Sequence, residues 1–177
     1  SVIIPALNEQ GYIEDCLKSL KSQSRKPDEI IVVDNGSTDN TVKIARRYKA
    51  RILKEPRQGT AYARNLGFDK AKGEILVRLD ADSVAKKDFL KTLEQDFKDI
   101  DGWSCYTYAY SGTTNIANTY RVHYRRLVMW LVNFFSFRFN KWISGHEMLF
   151  GSSMAISKKA WRDIRSSVIN EGVWEDL

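Results

Sequence analysis

The sequence predicts an α/β protein with an open, mostly parallel sheet flanked by helices. Over the first hundred residues, short segments rich in β-branched residues alternate four times with segments whose apolar residues recur at helical spacing. Strands that alternate with helices in this way form parallel sheets through right-handed crossovers. The chain has 177 residues, 43% of them hydrophobic and 28% charged, so we expect one domain that buries its own core.

Four strands and four helices are predicted before residue 100. The first strand is too apolar to face water on either side, and Cys16 falls among the apolar positions of the first helix, which indicates a buried thiol. Turn residues separate the elements. In chain order, the predicted elements are strand 1–5, helix 9–22, strand 29–33, helix 39–49, strand 51–55, helix 60–71, strand 74–79 and helix 86–97.

The second half is less regular and rich in aromatic residues. Its predicted elements are strand 103–109, helix 118–136, strand 152–156 and helix 158–164. The net charge of +6 is concentrated here, because no acidic residue lies between Asp101 and Glu147. The basic, aromatic block 118–142 is open to three interpretations: a packed core helix, a helix at a membrane interface, and a nucleic-acid surface. The last is the weakest, since no recognition motif accompanies it, and no nucleic-acid partner is predicted.

Polar side chains follow three of the predicted strands. In open α/β sheets ligands bind outside the carboxyl ends of the strands, so one cleft is expected to gather these residues. Two carboxylates separated by one residue on extended backbone point to the same side and can hold a hard divalent cation. A carboxylate directly after a buried strand needs a partner, such as the N–H group of a nucleotide base. The polar residues are Asn8, Glu9, Asp34, Ser37, Asp80 and Asp82.

Each motif taken alone has a plainer structural explanation. Ser37 and Thr38 can form a turn and cap the next helix. The small residues of 59–67 can mark a tightly packed helix with a solvated Arg64. The pair Glu175–Asp176 can be a solvated acidic loop or can hold a general base. The cysteine and histidine residues have no metal-ligand spacing.

Together and in this order, the segments resemble family 2 glycosyltransferases with the GT-A fold. The matching segments are 1–9, 31–39, 59–67, Asp80-Ala81-Asp82, 151–155 and Glu175-Asp176. The resemblance covers nearly the whole chain, most firmly residues 1–90 and 151–177. It implies one catalytic domain over 1–177, with a nucleotide-sugar-binding half (1–100) and an acceptor-facing half (101–177). Both ends look cut, so we expect a fragment of a longer protein whose acceptor half is incomplete at its C-terminus.

The resemblance also implies roles at the matching positions. Asp34 would bind the base, and Asp82, in the Asp-x-Asp motif, would be the direct ligand of Mg²⁺ or Mn²⁺. Asp176 would be the catalytic base. Asn35 stands where many relatives carry a second aspartate. The residues implied to bind the nucleotide sugar are Pro5, Ala6, Glu9, Asp34, Arg64, Asp80 and Asp82. Those implied on the acceptor side are Gly151, Ser152 and Glu175.

The activity that the resemblance implies is inverting transfer of a sugar from a UDP- or GDP-linked donor to a saccharide or lipid-linked hydroxyl. A cytoplasmic location is expected, at the cytoplasmic face of a membrane if the block 118–142 contacts lipid. Three alternatives stay open: a nucleotidyltransferase, a non-catalytic nucleotide- or carbohydrate-binding module, and a lipid-surface protein. The first should carry a glycine-rich basic loop after the first strand, whereas residues 6–11 contain one glycine and no basic residue.

Overall fold

The computed structural model describes residues 1–98, 105–108, 153–166 and 168. The strands are β1 (Val2–Ala6), β2 (Ile30–Asp34), β3 (Arg51–Lys54), β4 (Ile75–Arg78), β5 (Cys105–Tyr108) and β6 (Ser153–Ser157). The helices are α1 (Ile13–Lys21), α2 (Thr41–Arg47), α3 (Thr60–Lys70), α4 (Phe89–Lys98) and α5 (Lys158–Ile164). The strands form one six-stranded sheet in the order β3-β2-β1-β4-β6-β5. The predicted α/β fold is therefore confirmed.

The parallel part of the sheet is built around β1. β1 pairs in parallel with β2 and with β4, and β2 pairs in parallel with β3. The register places Ala6 opposite Asp34, so the ends of β1 and β2 lie side by side. Several predicted boundaries were wrong: α1 begins at Ile13 rather than at residue 9, α4 begins at Phe89 rather than at residue 86, and Asp34 closes β2 rather than following it.

The other edge of the sheet reverses direction. β6 lies between β4 and β5 and is antiparallel to both. As a result, Tyr108 at the end of β5 and Ser153 at the start of β6 lie at the same edge as the carboxyl ends of the parallel strands. We call this edge the carboxyl edge. The connection 109–152 leaves and rejoins the sheet here; the predicted helix 118–136 falls within it, outside the described residues.

Helices cover both faces of the sheet, and the strands β1, β2 and β4 are buried from both sides, as is typical of parallel sheets. Ile4 on β1 belongs to a core shared with α1, α2 and α4. Its neighbour Ile3 points to the opposite core, shared with α3 and α5. α3 packs very closely, because a Cβ atom added at Gly67 would collide with Ile3 and lie 3.1 Å from Val33 Cγ2. Among the described residues, no helix combines the length and apolar character needed to cross a bilayer.

Candidate functional site

The loops after β1 and β2 interlock at the carboxyl edge. The Asn8 N–H donates to Ser37 Oγ at 3.0 Å, and the Thr38 N–H donates back to Asn8 Oδ1 at 2.9 Å. The Glu9 N–H donates to Thr41 Oγ1 at 2.8 Å. These bonds hold Glu9 at the edge, half-buried. The predicted cap is wrong: α2 begins after Asn40, and the Ser37 hydroxyl accepts from the first loop instead.

Asp34 is buried at the end of β2, with 6% of its surface exposed. Its Oδ1 accepts the Ser37 N–H at 2.9 Å. On the neighbouring strand, Pro5 is half-buried and Ala6 is buried. The structure therefore brings Pro5, Ala6 and Asp34 together at adjacent strand ends.

A second loop, 55–59, stands beside Asp34 and joins β3 to α3. Its anchor is the side chain of Asn35, which is 5% exposed and bonded to three backbone groups of the loop. Within the loop, the buried Glu55 carboxylate accepts from Arg57 Nε at 2.8 Å, and this pairing lowers the pKa of Glu55. The Arg57 guanidinium lies 4.7 Å from the centre of the Tyr62 ring. Sequence reasoning did not predict these contacts.

Arg64 is buried on α3, with 3% of its surface exposed, so the interpretation as a solvated arginine was wrong. Its Nε donates to Asn65 Oδ1 at 3.1 Å. The companion expectation, a tightly packed helix, is confirmed by the contact of Gly67 with β1 and β2. α3 follows β3, so its first residues lie at the carboxyl edge.

The acidic pair follows β4 as a turn, not as extended backbone. The Ser83 N–H donates to Asp80 O at 3.1 Å, which closes the turn, so the argument that extended backbone aligns the two carboxylates was wrong. Asp80 is partly exposed, and its Oδ1 lies 3.3 Å from an amino nitrogen of the buried Arg78. Asp82 is exposed. We call residues 80–83 the acidic turn.

Three polar side chains, two on α1 and one just after it, hold the backbone at and after the acidic turn. Cys16 Sγ lies 3.6 Å from Asp80 O as a weak donor. The Ala85 N–H donates to Ser19 Oγ at 3.0 Å. Gln23 Nε2 donates to Lys86 O at 2.7 Å, and Gln23 Oε1 accepts the Leu90 N–H at 3.1 Å. We call these three residues the polar stripe: Cys16 and Ser19 on α1, and Gln23, which follows the helix. Their partners were not visible in the sequence.

Negative charge accumulates where these loops meet. Burial raises the pKa of Glu9, and the charges of Asp82, Asp39 and Asp80 raise it further. Burial raises the pKa of Cys16 to about 12, with Asp82 and Asp80 adding to the effect. Within the described ranges, no three His, Cys, Asp or Glu side chains are grouped to hold a metal ion. Mg²⁺, however, commonly uses one or two carboxylates together with water and substrate phosphates, so this acidic oxygen set fits such a cation.

Four predicted site residues, Gly151, Ser152, Glu175 and Asp176, lie outside the described residues. A cavity of about 650 Å³ lies at the opposite edge of the sheet, beside Ser1, Glu29 and Glu74. It contains none of the predicted site residues, and the chemistry described above lies at the carboxyl edge.

The model of the family described as "Glycosyl transferase family 2" matches residues 1–165. The chain belongs to this family. A glycosyltransferase named GlyG from Streptococcus pneumoniae is 35% identical over 57% of the chain and 36% of its own length. The glycosyltransferase AglE from Haloferax volcanii is 35% identical over 64% of the chain and 41% of its own length. The chain thus spans well under half the length of these relatives.

Solved structures of GT-A enzymes have the same fold. TarS residues 1–349 from S. aureus, in complex with UDP, superposes with a TM-score of 0.66 at 20% identity, over 99% of this chain and 52% of that one. Glucosyl-3-phosphoglycerate synthase from Mycobacterium tuberculosis, in complex with Mn²⁺, UDP and glucosyl-3-phosphoglycerate, superposes with a TM-score of 0.62 at 23% identity, over 89% of this chain and 56% of that one. The fold of this family 2 glycosyltransferase is therefore GT-A.

Proposed function

We propose that this domain binds a nucleoside diphosphate sugar at the carboxyl edge and transfers the sugar, with inversion, to an acceptor hydroxyl. The observation that carries the proposal is the arrangement of carboxylates around the end of β1. Asp34 is buried on the β2 side, and the acidic turn follows β4 on the other side. Such an arrangement offers a pocket for a base at one end and a cation-binding surface for a diphosphate at the other.

On the base side, Pro5 and Ala6 would line the pocket and Asp34 would accept an N–H from the base. A buried carboxylate gains from such a donor, because a hydrogen bond offsets its desolvation. Uracil and guanine both offer ring N–H donors, so UDP and GDP are the nucleotides to test. The TarS and glucosyl-3-phosphoglycerate synthase structures that contain UDP favour testing UDP first.

On the diphosphate side, Asp82 would hold Mg²⁺ or Mn²⁺ directly, and Asp80 would support it through the acidic turn. When bound, the ion would supply Lewis-acid neutralisation of the charge that develops on the diphosphate leaving group. Glu9 would contribute negative potential that favours the cation, and Arg64 would lie on the helix nearest the diphosphate. Arg78 would fix the orientation of Asp80 through their ion pair at 3.3 Å.

The chemical step in the proposal uses Asp176 as the base. Its carboxylate would take the proton of the acceptor hydroxyl as the hydroxyl oxygen attacks the anomeric carbon. The bond from that carbon to the diphosphate oxygen would break, and the nucleoside diphosphate would leave. Gly151, Ser152 and Glu175 would lie on the acceptor side.

The acceptor is proposed to be a saccharide or a lipid-linked saccharide. Both ends of the connection 109–152 lie at the carboxyl edge, which supports an acceptor-facing role for this part of the chain. Its basic and aromatic block 118–142 suits contact with a membrane surface. The proposed location is the cytoplasm, at the cytoplasmic face of a membrane if the block 118–142 contacts lipid.

Calorimetric titration with UDP and GDP, each with and without Mn²⁺, tests the donor site. We expect Mn²⁺-dependent binding of one nucleotide, and loss of that dependence in Asp82→Ala. The matched control is Asp15→Ala, which removes an exposed carboxylate from the outer face of α1. A folded protein that binds neither nucleotide would contradict the proposal, and unchanged Mn²⁺ dependence in Asp82→Ala would contradict the assignment of the metal ligand.

Single-turnover kinetics test the proposed base. Asp176→Asn should lower the rate about 10²–10⁴-fold, the usual contribution of general base catalysis, and should leave donor affinity unchanged. A variant that transfers sugar at the normal rate would show that Asp176 is not the base.

A further inference from the structure

A run of positive charge lies at one side of the sheet. Between Asp39 and Glu55 the chain carries six basic residues and no acidic one. This stretch forms α2, the turn after it and β3, which is the outermost strand on its side of the sheet. All six basic residues are exposed, and they are Lys43, Arg46, Arg47, Lys49, Arg51 and Lys54.

Within the described residues, one of these six cations forms an ion pair. The Arg51 guanidinium lies 3.6 Å from a carboxylate oxygen of Glu29. Glu14, on the neighbouring α1, accepts from the Tyr48 hydroxyl at 2.8 Å and lies 3.8 Å from Lys18 Nζ, so it does not neutralise the other five. We call these five the basic edge: Lys43, Arg46, Arg47, Lys49 and Lys54.

The basic edge lies on the α2 side of the sheet. Lys43, Arg46 and Arg47 have the spacing of residues that share one face of a helix. Ile52, two residues before Lys54, packs against the core that contains the buried residues of α2. Because side chains two residues apart in a strand point to the same side, Lys54 lies on that side as well.

Lys49 occupies a backbone position that glycine usually takes. It has a φ of 58° and follows Tyr48, the C-cap of α2. Its N–H donates to Arg46 O at 2.9 Å, and the Ala50 N–H donates to Ala45 O at 3.2 Å, which is the Schellman motif. A side chain in this conformation has a steric cost that glycine avoids, so the turn does not explain the lysine.

Two structural explanations account for part of the basic edge. Lys54 lies on an edge strand, where charge prevents pairing with another sheet. Arg46 and Arg47 lie in the last turn of α2, where the helix dipole favours a cation. Lys43 lies in the first turn, where the same dipole disfavours a cation, and Lys49 carries the steric cost. These two lysines require another explanation.

We propose that the basic edge is a docking surface for a membrane that contains anionic phospholipids. Each cation held near such a membrane strengthens binding about fivefold, so five together are enough for stable association. The inference goes beyond the proposed function, because it concerns where the domain is held rather than how a sugar is transferred. Docking through the side of the sheet at α2 and β3 leaves the carboxyl edge open to substrates.

The composition of the basic edge favours a lipid surface over other anionic partners. The exposed large hydrophobic residues of the described ranges are Leu7, Tyr12 and Val84, and none belongs to this segment. Protein interfaces use such residues as anchors, and single-stranded nucleic acids use exposed aromatic rings for stacking. Tyr48 is half-buried, with its hydroxyl bonded to Glu14. A group of cations without apolar anchors suits attraction to a charged plane whose headgroups stay hydrated.

Vesicle flotation of the protein tests the inference. The vesicles are phosphatidylcholine alone and phosphatidylcholine with about 30% phosphatidylserine, at about 0.1 M and about 1 M salt. The test variant combines Lys43→Gln, Arg46→Gln and Arg47→Gln. The matched control removes three exposed cations at or beside α4 and α5, by Lys87→Gln, Lys91→Gln and Lys159→Gln. Both variants leave the block 118–142 unchanged, and thermal unfolding verifies that each is folded.

We expect the protein to bind the anionic vesicles and to release them at the higher salt, where the Debye length falls to about 3 Å. The test variant should bind about 100-fold more weakly, from about fivefold for each of three cations, and the control should keep most of the binding. Lys49→Asn should bind about fivefold more weakly without a lower Tm, because asparagine tolerates the left-handed conformation.

Three outcomes would overturn the inference. Equal binding to both kinds of vesicle, or equal loss in the test variant and the control, would show that this surface has no specific role. Full binding by the test variant would assign the contact to another part of the chain. Tighter binding to a short DNA duplex than to the vesicles, lost in the test variant, would assign the basic edge to nucleic acid.

Failure of the proposed function gives a different pattern. UDP affinity with Mn²⁺, measured without vesicles, should be the same in the unsubstituted protein and in both triple variants. A protein that binds the anionic vesicles as described but binds neither UDP nor GDP would contradict the donor site and support the basic edge.

Discussion

The two sides of the carboxyl edge are held in different ways. On the base side, Asp34 and Asn35 are buried, and their side chains form hydrogen bonds with backbone groups. On the side of the acidic turn, Asp82 is exposed, and the turn is held through its backbone. The base side is tied by side chains of the loops themselves. The backbone of the acidic turn and of the residues after it is held by hydrogen bonds from the polar stripe.

In the proposed donor site, this difference would separate rigid recognition of the base from adaptable recognition of the cation. A flat base is read by hydrogen bonds at fixed positions, which requires a pre-organised wall. A hydrated cation between a carboxylate and a diphosphate needs side chains that can adjust while the backbone that carries them stays in place. The four predictions that follow test this contrast, in order of decreasing expected effect.

Gly67→Val should damage the base side most. A side chain at this position would collide with Ile3 and crowd Val33, on the two strands that end at Ala6 and Asp34. Overpacking of this kind costs up to about 3 kcal/mol of unfolding free energy. Urea denaturation measures the loss, with Gly11→Val as the control, since Gly11 has open space around it. Equal stability of the two variants would show that α3 is not packed as described.

Gln23→Ala should loosen the acidic turn while leaving the base side intact. It removes the partner of the buried Leu90 N–H and one of the two donors to Lys86 O, which also accepts the Phe89 N–H. One unsatisfied buried group costs about 1–3 kcal/mol. We expect weaker Mn²⁺-dependent nucleotide binding together with lower stability in urea. The control is Gln58→Ala, at an exposed position. Unchanged metal dependence would mean that the polar stripe does not position the acidic turn.

Glu9→Gln should stabilise the protein at neutral pH. The raised pKa of Glu9, due first to burial and then to Asp82, Asp39 and Asp80, means that its ionised form is disfavoured in the folded state. Stability is therefore lost as pH rises through that pKa, and the glutamine avoids the loss. Thermal unfolding should show a higher Tm for the variant at about pH 7 and no difference at about pH 4, below the ordinary pKa of a glutamate.

Glu9→Gln also tests whether a cation binds beside these carboxylates. Added Mn²⁺ should reduce the difference in Tm between Glu9→Gln and the unsubstituted protein at neutral pH. A cation relieves the repulsion between the Glu9 carboxylate and those of Asp82, Asp39 and Asp80. The exposed Glu74→Gln should show no such pattern. If the difference in Tm persists at acid pH, the effect of Glu9→Gln comes from packing rather than from charge.

Cys16 should resist alkylation in the folded protein. Its thiol is buried on α1, and burial raises its pKa to about 12, so almost no thiolate forms at about pH 8. Peptide mapping after iodoacetamide treatment should find Cys16 unmodified without urea and modified in urea. Rapid native alkylation would show that the contact between α1 and the acidic turn opens readily.

The fold was predictable because its signals are local. Apolar strands alternate with helices of regular spacing, and each local preference agrees with the parallel sheet. The burial of Asp34 followed from the apolar run before it. The bonds of Asn35 to residues 55–59 and of Gln23 to residues 86–90 were not predictable, because polar residues have many possible partners until the chain has folded. Arg64 was misjudged for the same reason, since α3 packs closely enough to bury it.

The reversal of β6 has a consequence for how such a protein can diversify. β5 and β6 are joined to each other at the carboxyl edge, so the chain between them can lengthen or change without altering the register of β1, β2 and β4. Loop closure costs only about 0.6 kcal/mol for each doubling of length. Evolution, or a protein engineer, can therefore exchange the sequence between Tyr108 and Ser153 as a cassette while the donor half is inherited unchanged.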